Sequence, residues 1–110
     1  MTTLSQLNSD LQNLSLQLNT LAATPCPPFG VVDVPAINAA AGEALAAANH
    51  IAGLGGKTAS PTSAVDSCDH EVGVALAMVT AVNGGTPGTL TVDGVLSQVT
   101  TAAVMANHLS

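Results

Sequence analysis

Asp66 and His70 lie one turn apart on any helix through them, with Asp69 and Glu71 alongside. A carboxylate and an imidazole at that spacing could share a metal ion or act as an acid and a base. One such pair is not a centre, because zinc and di-iron sites in helical scaffolds draw ligands from several helices. The other expected helices offer only Asp10, Glu43 with His50, and Asp93 with His108. The segment therefore reads as a solvated acidic first turn favoured by the helix dipole, with no metal and no cofactor.

Nucleophilic chemistry finds no better footing. Serine, histidine and aspartate all occur, but there is no GxSxG elbow and neither cysteine has a general base beside it. No catalytic residue is assigned, and enzymatic activity is not expected. Gly55-Gly56 and Gly84-Gly85 follow apolar segments and read as helix C-caps, not as phosphate-cradling loops. Asn13-Leu14-Ser15 matches the glycosylation sequon, a motif short enough that chance explains it better.

The two cysteines, Cys26 and Cys68, have no CxxC spacing. A Cys26–Cys68 disulfide is expected, since a small domain often gains about 2–4 kcal/mol from such a link. The alternative is two buried thiols in a reducing compartment.

Composition narrows the field further. Of 110 residues, 47% are hydrophobic but only 1% aromatic, so the core must be aliphatic. Charged residues make up 7%, against about 25% in ordinary globular proteins. Lys57 is the single Lys or Arg, and the net charge is −6. Nucleic acid is excluded as a partner, because phosphate binding needs clustered cations and base stacking needs aromatics. The same shortage argues against docking on anionic lipid headgroups. The longest apolar run, Val72 to Val82, is about half a membrane span, so no membrane span is expected. No basic n-region followed by an apolar h-region opens the chain, so a secreted reading supposes that Met1 replaces a removed leader.

These features need elements to position them, and the spacing predicts four. Leu4, Leu7, Leu11, Leu14, Leu18 and Leu21 recur in steps of three and four, which puts them on one helical seam. Thr3 with Gln6 forms a capping box, so the first helix runs from near Thr3 to before Pro25, with Ser, Asn and Gln outward. The stretch TPCPPFGVVDV cannot be helical, and its Phe29 reads as a plug over one end of the core. A second helix starts at Asp33 as cap with Pro35 in its first turn and stops at Gly53 or Gly55-Gly56. Ile37, Ala41, Leu45, Ala48 and Ile51 or Ala52 are placed on its inner face. Its alanine density either brings helices unusually close or leaves a groove.

Ser60 and Pro61 are read as N-cap and first residue of a third helix, supported by Ser63 and Asp66. Val65, Cys68, Val72, Leu76, Val79 and Val82 face inward, and Asn83-Gly84-Gly85 ends it. A turn over 86–89 leads to a last helix from Thr91 or Asp93 to the C-terminus, with Val92, Val95, Leu96, Val99, Ala103, Ala106 and Leu109 inward. The fold class is all-α, an antiparallel up-down-up-down four-helix bundle forming one domain over 1–110.

The helix-one pattern LxxLxxDLxxLxxxLxxL, the apolar loop FGVVDVPAIN and the segment INAAAGEALAAA resemble the fungal hydrophobic surface-binding family, which includes ligand-binding domains of cell-wall mannoproteins. The likeness covers about the first half of the chain. It implies an extracellular or cell-wall helical bundle that adsorbs to hydrophobic surfaces or holds a fatty-acid-like ligand. The chain departs from that family in being short, nearly free of lysine, furnished with two cysteines and without a fifth helix. These departures weigh against an enclosed lipid cavity more than against surface activity. No ligand-contacting motif carries over, so candidate contacts come from the inward faces and the Phe29 loop: Phe29, Val32, Ile37, Leu45, Val72, Leu76, Val79 and Val99. The expected partner is an apolar small molecule or a hydrophobic surface. The alternative is a structural subunit whose low-charge faces assemble into a coat or filament, which makes a homo-oligomer possible.

Overall fold

The computed structural model describes residues 3–23, 34–85 and 90–110, and among these the chain forms four α-helices and no strand. They are α1 (Leu4–Ala23), α2 (Val34–Ala52), α3 (Thr62–Asn83) and α4 (Val92–His108). Local chemistry accounts for most of their ends. The Thr3 hydroxyl accepts from the Gln6 amide at 3.1 Å and starts α1, and Thr91 does the same for Gly94 at the start of α4. Gly84 and Gly85, the latter at φ 82°, close α3 by donating to the carbonyls of Thr80 and Val82. The expected Asp33 cap lies outside the described residues.

The start of α3 corrects one expectation. Pro61, not Ser60, is the N-cap, and it has no side-chain cap hydrogen bond. Its carbonyl accepts from Ala64 at 2.9 Å, while the Ser60 hydroxyl accepts from the Ser110 amide at 3.1 Å and so is committed elsewhere.

Consecutive helices run in opposite directions, as an up-down-up-down bundle requires. On α1 and α2, Asn8 meets Ala48 and Ser15 meets Ala41; on α3 and α4, Cys68 meets Ala102 and Glu71 meets Gln98. The ring order is α1–α2–α4–α3, so α2 and α3 are not principal neighbours although they are joined in sequence. Parallel neighbours result: α1 beside α3, where Asn83 reaches Gln17, and α2 beside α4, where Thr100 reaches Glu43 and His50 reaches Leu109.

The connection 53–61 therefore crosses one end of the bundle diagonally. Gly55 (φ 65°) and Gly56 (φ 82°) supply the left-handed turns that bend it, and Leu54 packs against the core beneath. The loop is tied down by Thr58 Oγ1 and the Ala59 amide, both donating to the Ser110 carbonyl.

All six leucines of the α1 seam are buried, four of them completely. They face Ile37, Ala40, Ala41, Ala44, Ala47, Ala48 and Ile51 of α2, so the alanines bring the helices together instead of leaving a groove. Leu45 was placed on that inner face by the sequence reading, and the structure corrects this: it points outward and is 48% exposed. The face centred on Leu45 also carries Asn38 and Asn49, whose burial would cost more than the leucine gains. On α3 the central position goes to Ala75, and Leu76 sits half-buried at the edge of the core.

A leucine at fully buried Ala44 is expected to destabilise the bundle by about 1–3 kcal/mol through overpacking. Leu45→Ser, one residue away, should change stability by roughly 0.5 kcal/mol or less. Urea denaturation of the two variants checks the pair.

Candidate functional site

Three open clefts, of about 260, 300 and 240 Å³, gather at the end of the bundle crossed by loop 53–61. The first lies between α1 and α2, with Leu4, Asn8, Ile51 and Gly56 in its wall. The second lies between α1 and α3, with Leu4, Gly56, Ser60 and Val65, and the third between α3 and α4, with Ser60, Ala64, Met105 and Leu109. Leu4 and Gly56 line both the first and the second, and Ser60 lines both the second and the third. Their walls mix aliphatic side chains with hydroxyls and amides.

None of the described candidate contact residues lines these clefts. Ile37, Val72, Val79 and Val99 are sealed in the core, at 1% exposure or less. Leu76 is at its margin and Leu45 faces solvent, so the six described candidates do not converge on a site. Phe29 and Val32 lie outside the described residues. Apolar groups are instead displayed singly on outer faces, with Leu16 62%, Leu45 48% and Val104 46% exposed on α1, α2 and α4.

The structure brings together an ionisable pair that the sequence reading did not. Asp10 of α1 is hydrogen-bonded to Asp69 of α3, and both are half-buried. Two carboxyl groups can share such a bond only by sharing a proton, so the bond to Asp69, then burial, then the Asp69 charge push the Asp10 carboxyl up to about 6. Paired carboxyls of this kind occur at catalytic sites. Here neither Asp10 nor Asp69 lines any of these three clefts. No group of three or more His, Cys, Asp or Glu side chains is placed to hold a metal ion among the described residues. Asp66 and His70 remain on the outer part of α3, with His70 exposed.

Cys68 is a free thiol, fully buried, 3.8 Å from the Ala102 carbonyl. Cys26, the partner expected for it in a disulfide, lies outside the described residues. Burial first, and then the charges of Asp69 and Glu71, push the Cys68 thiol up to about 11.

No helix among the described residues is long and apolar enough to cross a membrane. No protein-family model, curated protein or solved structure matches the chain.

Two measurements test this chemistry. Because the Asp10 carboxyl is raised in the folded state, the stabilisation from its shared proton is complete below about pH 4 and is lost as the pH rises through about 6. Asp10→Asn should remove that loss and be more stable than the wild type at pH 7 by about 1 kcal/mol, after allowance for solvent screening. Thermal midpoints of the two proteins across pH 4–7 decide it. For the thiol, a maleimide should leave Cys68 unlabelled in native protein at pH 8 and label it in denaturant, as peptide mapping would show.

Proposed function

We propose that the chain is a non-catalytic protein that adsorbs to apolar surfaces. The observation that carries this reading is the character of its exterior. Leu16, Leu45 and Val104 stand exposed on three helices of a 110-residue chain with only seven acidic residues and one lysine. Ser, Thr, Asn, Gln and Ala cover most of the remaining outer positions, and the mean hydropathy is +0.47. An exterior with so little charge gives up little hydration when it meets an oily phase, and each large aliphatic side chain taken from water contributes about 1.5–3 kcal/mol.

The resemblance to the fungal hydrophobic surface-binding family supports the same role, and with it an extracellular or cell-wall location. A fatty-acid-like ligand held between the helices is less well supported. Ile37, Val72, Val79 and Val99 already pack against one another's helices, and a chain-shaped ligand would have to part them.

Adsorption to an alkyl-coated sensor, measured against bare silica by quartz-crystal microbalance, tests the proposal. The protein is expected to coat the alkyl surface and not the silica. The triple substitution Leu16→Ser, Leu45→Ser, Val104→Ser should weaken binding at least severalfold while leaving the helical circular dichroism spectrum unchanged. Equal adsorption to both surfaces, or no effect of the triple substitution, would count against it.

A further inference from the structure

α3 ends on the one Asn-Gly pair in the sequence, Asn83-Gly84. The six other asparagines are followed by Ser, Leu, Thr, Ala or His. Glycine has no side chain to screen its own nitrogen and bends where other residues resist, so an asparagine that precedes it is the most open to attack by the next main-chain amide.

The structure restrains both reacting groups. The Gly84 N–H donates to the Thr80 carbonyl at 2.9 Å within the last turn of the helix. Asn83 Nδ2 donates to the main-chain oxygen of Gln17 at 3.0 Å and to its side-chain oxygen at 2.9 Å, which ties the amide to α1. A main-chain oxygen can only accept, so this position calls for a nitrogen donor. The restraint is incomplete. Asn83 Oδ1 is buried without a hydrogen-bond partner among the described residues, which offsets part of what the two bonds contribute. Gly84 and Gly85 are exposed, and helix ends open more readily than helix centres.

We propose that Asn83-Gly84 is a deamidation site gated by the last turn of α3, silent while Asn83 is docked on Gln17 and unable to re-dock once it has reacted. When the turn opens, hydroxide takes the Gly84 N–H proton and the nitrogen attacks Asn83 Cγ. The new N–Cγ bond closes a five-membered succinimide, the Cγ–Nδ2 bond breaks, and Nδ2 leaves as ammonia with a proton from water. Water then adds to one of the two ring carbonyls and opens the ring, leaving aspartate or isoaspartate at position 83. Water is the only co-reactant, and nothing is oxidised or reduced.

Neither product restores the contact. At neutral pH a carboxylate has no donor for the Gln17 main-chain oxygen, and it adds a negative charge to a chain of net charge −6. Isoaspartate also routes the main chain through the side-chain carbon, which lengthens the backbone where Gly84 must reach Thr80. The extent of conversion therefore records how long the turn has spent open.

Peptide mass mapping of native and guanidinium-denatured protein, aged side by side at pH 8, tests the site. Mapping also separates it from Asp93-Gly94, whose isomerisation leaves the mass unchanged. In denaturant Asn83 should convert ahead of the six other asparagines, and in the native protein about tenfold more slowly. Gln17→Ala should raise the native rate severalfold, whereas Ala44→Leu, which weakens the whole bundle, should leave it unchanged. No preference for Asn83 in denaturant overturns the site, and equal rates in native and denatured protein overturn the gate. No acceleration in Gln17→Ala, or one as large in Ala44→Leu, overturns gating by the docked amide. A separate measurement needs no Gln17 variant: in Asn83→Asp the amides of 79–82 should exchange severalfold faster than in the wild type at equal pH, with 65–75 unchanged. Wild-type exchange at 79–82 overturns the loss of docking.

Discussion

The hydrogen bonds from Asn8 and Ser15 to the carbonyls of Ala48 and Ala41 fix how near α1 and α2 lie. A short side chain reaches the backbone of a neighbouring helix only when nothing bulky stands between them, so this pairing and the alanine face of α2 require each other. The two donors are seven residues apart, as are the two acceptors, which repeats the contact after two turns of each helix. Each carbonyl has a second lone pair to offer beyond its own helical bond, so neither helix gives up internal structure. Ser15 is the one buried polar residue among those described, and its partner is what makes that burial tolerable.

Close approach has consequences for volume. Alanines at 40, 41, 44, 47 and 48 bury little area each, so the bulk of this half of the core comes from the α1 leucines and from Ile37 and Ile51. On the other side, Val65, Val72, Val79, Val95 and Val99 complete the filling with side chains that have one favoured rotamer in a helix. Stiff valines against well-registered leucines make a closed interior. That is why the clefts gather at the end of the bundle, where glycines 55 and 56 replace side chains, and why the centre of the inward faces offers no room for a ligand.

The leucine seam, the Thr3 cap and the Gly84-Gly85 stop were all legible in the sequence, because each is a local pattern enforced by local physics. The inner face of α2 was not. Size pointed to Leu45, whereas packing chose the alanine stripe flanked by Ile37 and Ile51; the signal overlooked was that Asn38 and Asn49 accompany Leu45 around the helix. The Asp10–Asp69 pair was hidden for a topological reason. The connections 24–33, 53–61 and 84–91 are of similar length, so nothing in them says that 53–61 crosses the diagonal and sets α1 beside α3 in parallel.

A low-charge bundle must specify its helix pairing with neutral polar side chains. Asn8, Ser15, Asn83, Gln98, Thr100 and Glu43 all make bonds at helix–helix seams, not on the outermost faces. Seam bonds specify which helices pair and in what register, a role that ion pairs or aromatic packing fill in other bundles and that one lysine and one phenylalanine cannot fill here. The outer faces are left with small hydroxyls, neutral amides, alanines and isolated aliphatics such as Leu16 and Val104. Weak hydration outside and polar specification between the helices are thus two sides of one composition. A chain that draws its pairing specificity from the seams is free to have an exterior that water does not hold strongly, which is the property an apolar surface would select.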